Sequence, residues 1–80
     1  MATAIPIAQV SAQEFLKLGV EKTTTGDLQQ AVVKFTQAIK LDSKLAAVYS
    51  NRCLVYIQLG EYEPATMDCT QALQLNPKNA

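Results

Sequence analysis

Residues 12–45 align without a gap onto residues 46–79, at a period of 34 residues. Ala12/Ala46, Gly26/Gly60, Ala31/Ala65, Thr36/Thr70, Gln37/Gln71, Ala38/Ala72, Leu41/Leu75 and Lys44/Lys78 are identical pairs, and Phe15/Tyr49, Leu28/Tyr62 and Ile39/Leu73 are similar in kind. A fixed period of this length confines the chain to a stacked helical array, in which each unit buries its apolar face only against its neighbours. The sequence therefore divides into a leader, 1–11, a first unit, 12–45, and a second, 46–79.

Local signals inside each unit agree with that division. Ser11 followed by Glu14 is a capping box, so a helix starts at Ala12. Phe15, Leu18, Gly19 and Lys22 continue one face until Thr23-Thr24-Thr25-Gly26, a β-branched run and a glycine that suit a helix end. Asp27 is placed to cap a second helix, whose stripe Leu28, Ala31, Phe35, Ala38 and Ile39 follows a period near 3.6 residues. Gly19 and Ala31 allow close backbone approach, with Phe15 and Phe35 filling the space beside them.

The second unit repeats the plan. Tyr49, Cys53 and Tyr56 lie on one helix and Tyr62, Ala65, Cys69, Ala72 and Leu73 on the next, with the Gly60 turn between them. Pro64 falls in a first helical turn, where its missing N–H costs nothing, and Asn76-Pro77 stops the helix. The expected fold is all-α, two stacked helix-turn-helix hairpins with helices over 12–24, 28–41, 46–58 and 62–75.

Composition narrows the function classes. Eighty residues make one small domain, too short for a deep active-site cavity, and the seven basic and seven acidic residues cancel. That balance leaves no electrostatic footprint for nucleic acid, and no apolar run approaches the roughly 20 residues that span a bilayer. The leader lacks the basic start and long apolar stretch of a secretion signal. The compartment expected is the cytoplasm, the alternative being export with residues 1–10 left after signal removal. Cys53 and Cys69 fit neither a Cys-x-x-Cys pair nor a metal site, and the chain has no histidine. They read as buried free thiols in preference to a disulfide.

The residues quoted so far carry a family resemblance. Unit one shows an aromatic, Leu and Gly, then Gly-Asp-Leu, Ala, Phe and Ala-Ile-x-Leu-Asp; unit two shows Tyr-x-Asn, Gly-Glu-Tyr, Ala and Ala-Leu-x-Leu-Asn-Pro. This pattern resembles the tetratricopeptide repeat, in two copies over 12–79. The departures are Arg52 and Cys53 for the usual Leu-Gly, Cys69 for an aromatic, and Ser43 for the terminal Pro of unit one.

The resemblance implies a fragment of a right-handed helical solenoid that binds an extended peptide on a concave surface lined by the first helix of each unit. On this sequence that surface carries Gln13, Leu16, Lys17, Val20 and Thr24, then Ala47, Ser50, Asn51, Leu54, Ile57 and Gln58. Leu16, Val20, Leu54 and Ile57 lie off the packing stripes, so they face either a ligand or a cover formed by Ile5, Ile7 and Val10 of the leader. One subclass clamps acidic chaperone tails with Lys and Asn residues. Here Asn51 matches, but Leu16 and Val20 occupy the first two clamp positions and the fifth-helix positions lie beyond the sequence, so the expected ligand is uncharged and partly apolar. Asn51 then serves as a polar contact to a ligand backbone or a neighbouring helix.

Catalysis is not expected. The common general base is missing, and Glu14, Glu21, Asp27, Asp42, Glu61, Glu63 and Asp68 read as caps, turns or solvated faces. Lys17 reads as a surface ion-pair partner of Glu14 and Glu21. No cofactor or metal is implied. The competing role is self-assembly: helix four has no following helix over Thr66, Met67, Leu73 and Leu75, and a homo-oligomer, or the rest of a longer array, would cover that face.

Overall fold

The computed structural model describes residues 11–79, which form four helices and a short turn. These are α1 (Ala12–Thr24), α2 (Leu28–Leu41), α3 (Ala46–Gln58), α4 (Tyr62–Leu75) and a 3-10 turn over Pro77–Asn79. The boundaries are those set by the caps, stripes and turn glycines. Residues 1–10, and with them the proposed cover by Ile5, Ile7 and Val10, lie outside the described residues.

Both hairpin turns are built the same way. Gly26 and Gly60 adopt φ of +82° and +78°, which only glycine takes without steric cost. The Gly26 N–H donates to the Thr23 carbonyl at 3.1 Å and the Asp27 N–H to the Lys22 carbonyl at 2.8 Å; Gly60 to Ile57 and Glu61 to Tyr56 repeat these bonds at 3.0 and 2.8 Å. This is the Schellman pattern, and it satisfies carbonyls that a helix end leaves open.

The caps differ from expectation in two places. Ser11 accepts from the Glu14 N–H at 3.2 Å, half of the capping box. Asp27 makes no side-chain cap bond. Its own N–H is committed to the Schellman turn, and its carboxylate lies 3.9 Å from the Lys22 ammonium instead. Lys17 forms no ion pair with Glu14 or Glu21 among the described residues; all three are exposed.

α1 packs on α2, α3 on α4, and α3 lies against α2, so the hairpins stack in chain order. The core is Ala12, Ala31, Phe35, Ala38, Val48 and Val55, ringed by half-buried Phe15, Leu16, Leu28, Val32, Ile39, Leu45 and Leu59. Gly19 is buried because of Phe35 and not only for backbone approach. A Cβ at Gly19 would stand within 2.8 Å of the ring carbon Cζ and closer still to two others. Val48 and Val55 were absent from the sequence-derived stripes because α3 buries two faces, one toward α4 and one toward α2. Tyr49 pins the junction by donating its hydroxyl to the Ser43 carbonyl at 3.1 Å, and the Asp42 carboxylate accepts from the Lys44 N–H at 3.0 Å.

Candidate functional site

α1 and α3, the first helices of the two units, also touch directly. On them Gln13, Lys17, Val20, Thr24, Ala47, Leu54, Ile57 and Gln58 are exposed, while Leu16, Ser50 and Asn51 are half-buried. Val20 is 41 % exposed and Leu54, its counterpart one period later, 56 %. The two occupy equivalent positions on α1 and α3. Thr24 and Asn51 turn inward on their own helices: the Thr24 hydroxyl donates to the Val20 carbonyl at 3.0 Å and Asn51 Nδ2 to the Ala47 carbonyl at 2.8 Å. Asn51 therefore contacts its own helix, not a neighbouring one.

Leu16 departs from the expected surface. It packs against the core because α3 stacks over that side of α1. Its counterpart Ser50 sits on the same side of α3, where no further helix lies among the described residues. Ser50 and Ala47 instead line an open groove of 320 Å³ with Cys69, Ala72, Leu73 and Asn76.

The outer face of α4 carries the second set of expected residues. Met67 is 73 % and Leu73 52 % exposed, Thr66 is exposed, and Leu75 is half-buried. Tyr62, 66 % exposed, belongs with them. Of their counterparts one period earlier, Leu28, Val32 and Ile39, which match Tyr62, Thr66 and Leu73, are packed against the core, whereas Val33 and Leu41, which match Met67 and Leu75, are exposed. A second groove, of 300 Å³, runs past Ile57, Tyr62, Thr66, Cys69 and Leu73. The two expected surfaces thus meet along α3, where Ala47, Ser50 and Ile57 border the α4 grooves.

Sequence reasoning missed the groups that lock α3 to α4. Asp68, expected on a solvated face, is 5 % exposed. Its carboxylate takes Arg52 Nε at 2.7 Å and Nη2 at 2.8 Å, while Arg52 Nη1 donates to the Thr36 hydroxyl on α2 at 3.0 Å. The guanidinium lies 6.0 Å from the Tyr49 ring centroid and 5.8 Å from that of Tyr56. Hydrogen bonding to Asp68 raises the Arg52 pKa, opposed by burial. The next residue on each helix makes a covalent link: Cys53 and Cys69 form a disulfide, with Cα atoms 5.4 Å apart. The free-thiol reading is therefore wrong for this structure. One signal could have found both links, since Arg52 and Asp68, like Cys53 and Cys69, are 16 residues apart.

Among the described residues no group of three or more metal-ligating side chains comes together, and no helix is long and apolar enough to cross a membrane.

Comparison with known proteins agrees with this architecture. Residues 46–79 match the family model "Tetratricopeptide repeat". Sperm-associated antigen 1 of Rattus norvegicus is 43 % identical over 51 residues, 64 % of this chain and 6 % of that protein. The mitochondrial import receptor subunit TOM34 of Homo sapiens is 38 % identical over 61 residues, 76 % of this chain and 20 % of the relative. The translocon at the outer membrane of chloroplasts 64 of Pisum sativum is 45 % identical over 51 residues, 64 % of this chain and 9 % of the relative. The chain thus spans a fifth or less of the length of these curated relatives.

Proposed function

We propose that this tetratricopeptide repeat chain holds an extended, uncharged and partly apolar polypeptide segment against the face shared by α1 and α3. The family is a non-catalytic interaction repeat that mediates protein–protein contact. The observation that carries the finer reading is the exposure of Val20 and Leu54 at equivalent positions on adjacent helices. An apolar strip left open on a well-packed scaffold marks an interaction site. Exposed Lys17 and Gln58 and half-buried Asn51 give it a polar rim, which orients a ligand backbone and excludes water from the centre. Two relatives are named as an import receptor subunit and an outer-membrane translocon component, names that suit polypeptide handling.

The experiment is a peptide array probed with the chain, followed by titration of the best binder. Leu54→Glu should weaken that binding by about 1–2 kcal/mol or more while leaving thermal stability nearly unchanged. Ala31→Leu, at a fully buried position, should instead destabilise the fold by about 1–3 kcal/mol. Unfolding by Leu54→Glu would remove the strip from consideration.

A second reading, self-association, is favoured by a different observation: Tyr62, Thr66 and Leu73 on α4 are exposed at the positions whose α2 equivalents, Leu28, Val32 and Ile39, are packed against the core. Head-to-tail stacking of copies is disfavoured, because the α1 residues equivalent to buried Val48 and Val55 are exposed Glu14 and Glu21. Burying two unpaired carboxylates against an apolar face is costly. Self-association would therefore pair α4 with α4 about a two-fold axis.

A further inference from the structure

We propose that Cys53 and Cys69 form a reversible thiol–disulfide exchange site for small thiols, entered at Cys69 from the α4 grooves. Their counterparts one period earlier are Gly19 and Phe35, the glycine beneath the buried ring. The two substitutions make sense only together. A phenyl ring facing Cys53 would meet a side chain where the ring admits none, and a cysteine facing glycine would leave a void in place of the ring. A sulfur–sulfur bond fills the gap from both sides, and the 5.4 Å Cα separation lies in the range a bridge requires.

Access to the two sulfurs is unequal. Both cysteines line the 300 Å³ groove, but Cys53 is 1 % exposed, whereas Cys69 is partly exposed and also borders the 320 Å³ groove. An incoming thiolate attacks Cys69 Sγ, a new disulfide forms between reagent and Cys69, and the Cys53–Cys69 bond breaks. Cys53 leaves with the electron pair and takes a proton from water. A second reagent thiolate then attacks the reagent sulfur of the mixed disulfide, and Cys69 departs and is protonated. The protein gains two electrons and two protons, and two reagent thiols become one disulfide. Arg52 and Asp68, each adjacent in sequence to one of the cysteines, keep α3 and α4 aligned while the bond is open, so the cycle returns to the same fold.

Three measurements on the full chain test this. After dialysis in air, the denatured protein should alkylate with N-ethylmaleimide at neither cysteine. Brief exposure to reduced glutathione, acid quenching and peptide mapping should place the adduct predominantly on Cys69. Complete reduction with dithiothreitol should preserve the helical circular dichroism spectrum and lower the thermal midpoint by roughly 10–20 °C, with recovery on reoxidation. The Cys53→Ser/Cys69→Ser double variant should be indifferent to dithiothreitol. Free thiols after air dialysis, an adduct on Cys53 or equally on both, or loss of helix on reduction would each overturn the proposal.

Discussion

Arg52 holds Asp68 through two guanidinium nitrogens, at 2.7 and 2.8 Å, and reaches α2 through a third at the Thr36 hydroxyl. One side chain therefore joins three helices and spans the junction between the repeats. Both partners are largely dehydrated, with side chains 17 % and 7 % exposed.

Removing one partner should be far worse than removing both. Asp68→Ala leaves a mostly buried guanidinium unpaired and should cost about 3–5 kcal/mol, read from chemical denaturation. The double variant Arg52→Leu/Asp68→Leu should recover most of that loss. The pH dependence follows from the sign of the shift: a raised arginine pKa stabilises the fold fully at all pH below the ordinary arginine value. That contribution fades only as pH rises through the higher folded value, so Arg52 should impose no slope on stability between roughly pH 6 and 9.

Gly19→Ala tests the ring contact in unit one. Helix propensity alone would favour alanine by roughly 1 kcal/mol. The Phe35 ring stands too close for a Cβ, and the ring is itself fully buried with no free direction to move. The substitution should therefore destabilise by about 1–3 kcal/mol, and pairing it with Phe35→Leu should restore part of the loss. A rise in the thermal midpoint of Gly19→Ala would contradict the packing described.

Light scattering over micromolar to millimolar concentration tests the α4 face. Covering Met67 and Leu73 would gain roughly 1.5–3 kcal/mol for each side chain fully buried. The expected outcome is a monomer–dimer equilibrium that Leu73→Glu shifts to monomer. Masses that grow without limit would point to head-to-tail stacking, and a monomer throughout would show that the face stays open.

Fold and site were not equally legible in the sequence. The helices were readable because each unit carries its own stops and starts, Ser11, Gly26, Gly60 and Pro64, and because the 34-residue register checks one unit against the other. Val48 and Val55 were not, since a single stripe was assigned to α3, a helix with two buried sides. Arg52, Cys53 and Cys69 stand out as departures from the repeat pattern and Asp68 as a carboxylate among others, but none of the four is matched to a partner on the facing helix. Placed in register with Gly19, Phe35, Leu18 and Lys34, they are paired departures, and pairing is what turns a misplaced charge or thiol into a bond. Leu16 and Ser50 show the remaining difficulty: equivalent positions have different surroundings when one is overlain by the next hairpin and the other is not.

The most direct test of the proposed recognition surface is an amide chemical-shift titration of the isotope-labelled chain with the array-selected peptide. Perturbations should centre on Val20, Asn51 and Leu54 and fade along α4. A response centred on Tyr62, Met67 and Leu73, with α1 unaffected, would contradict the account and assign binding to the outer face of α4.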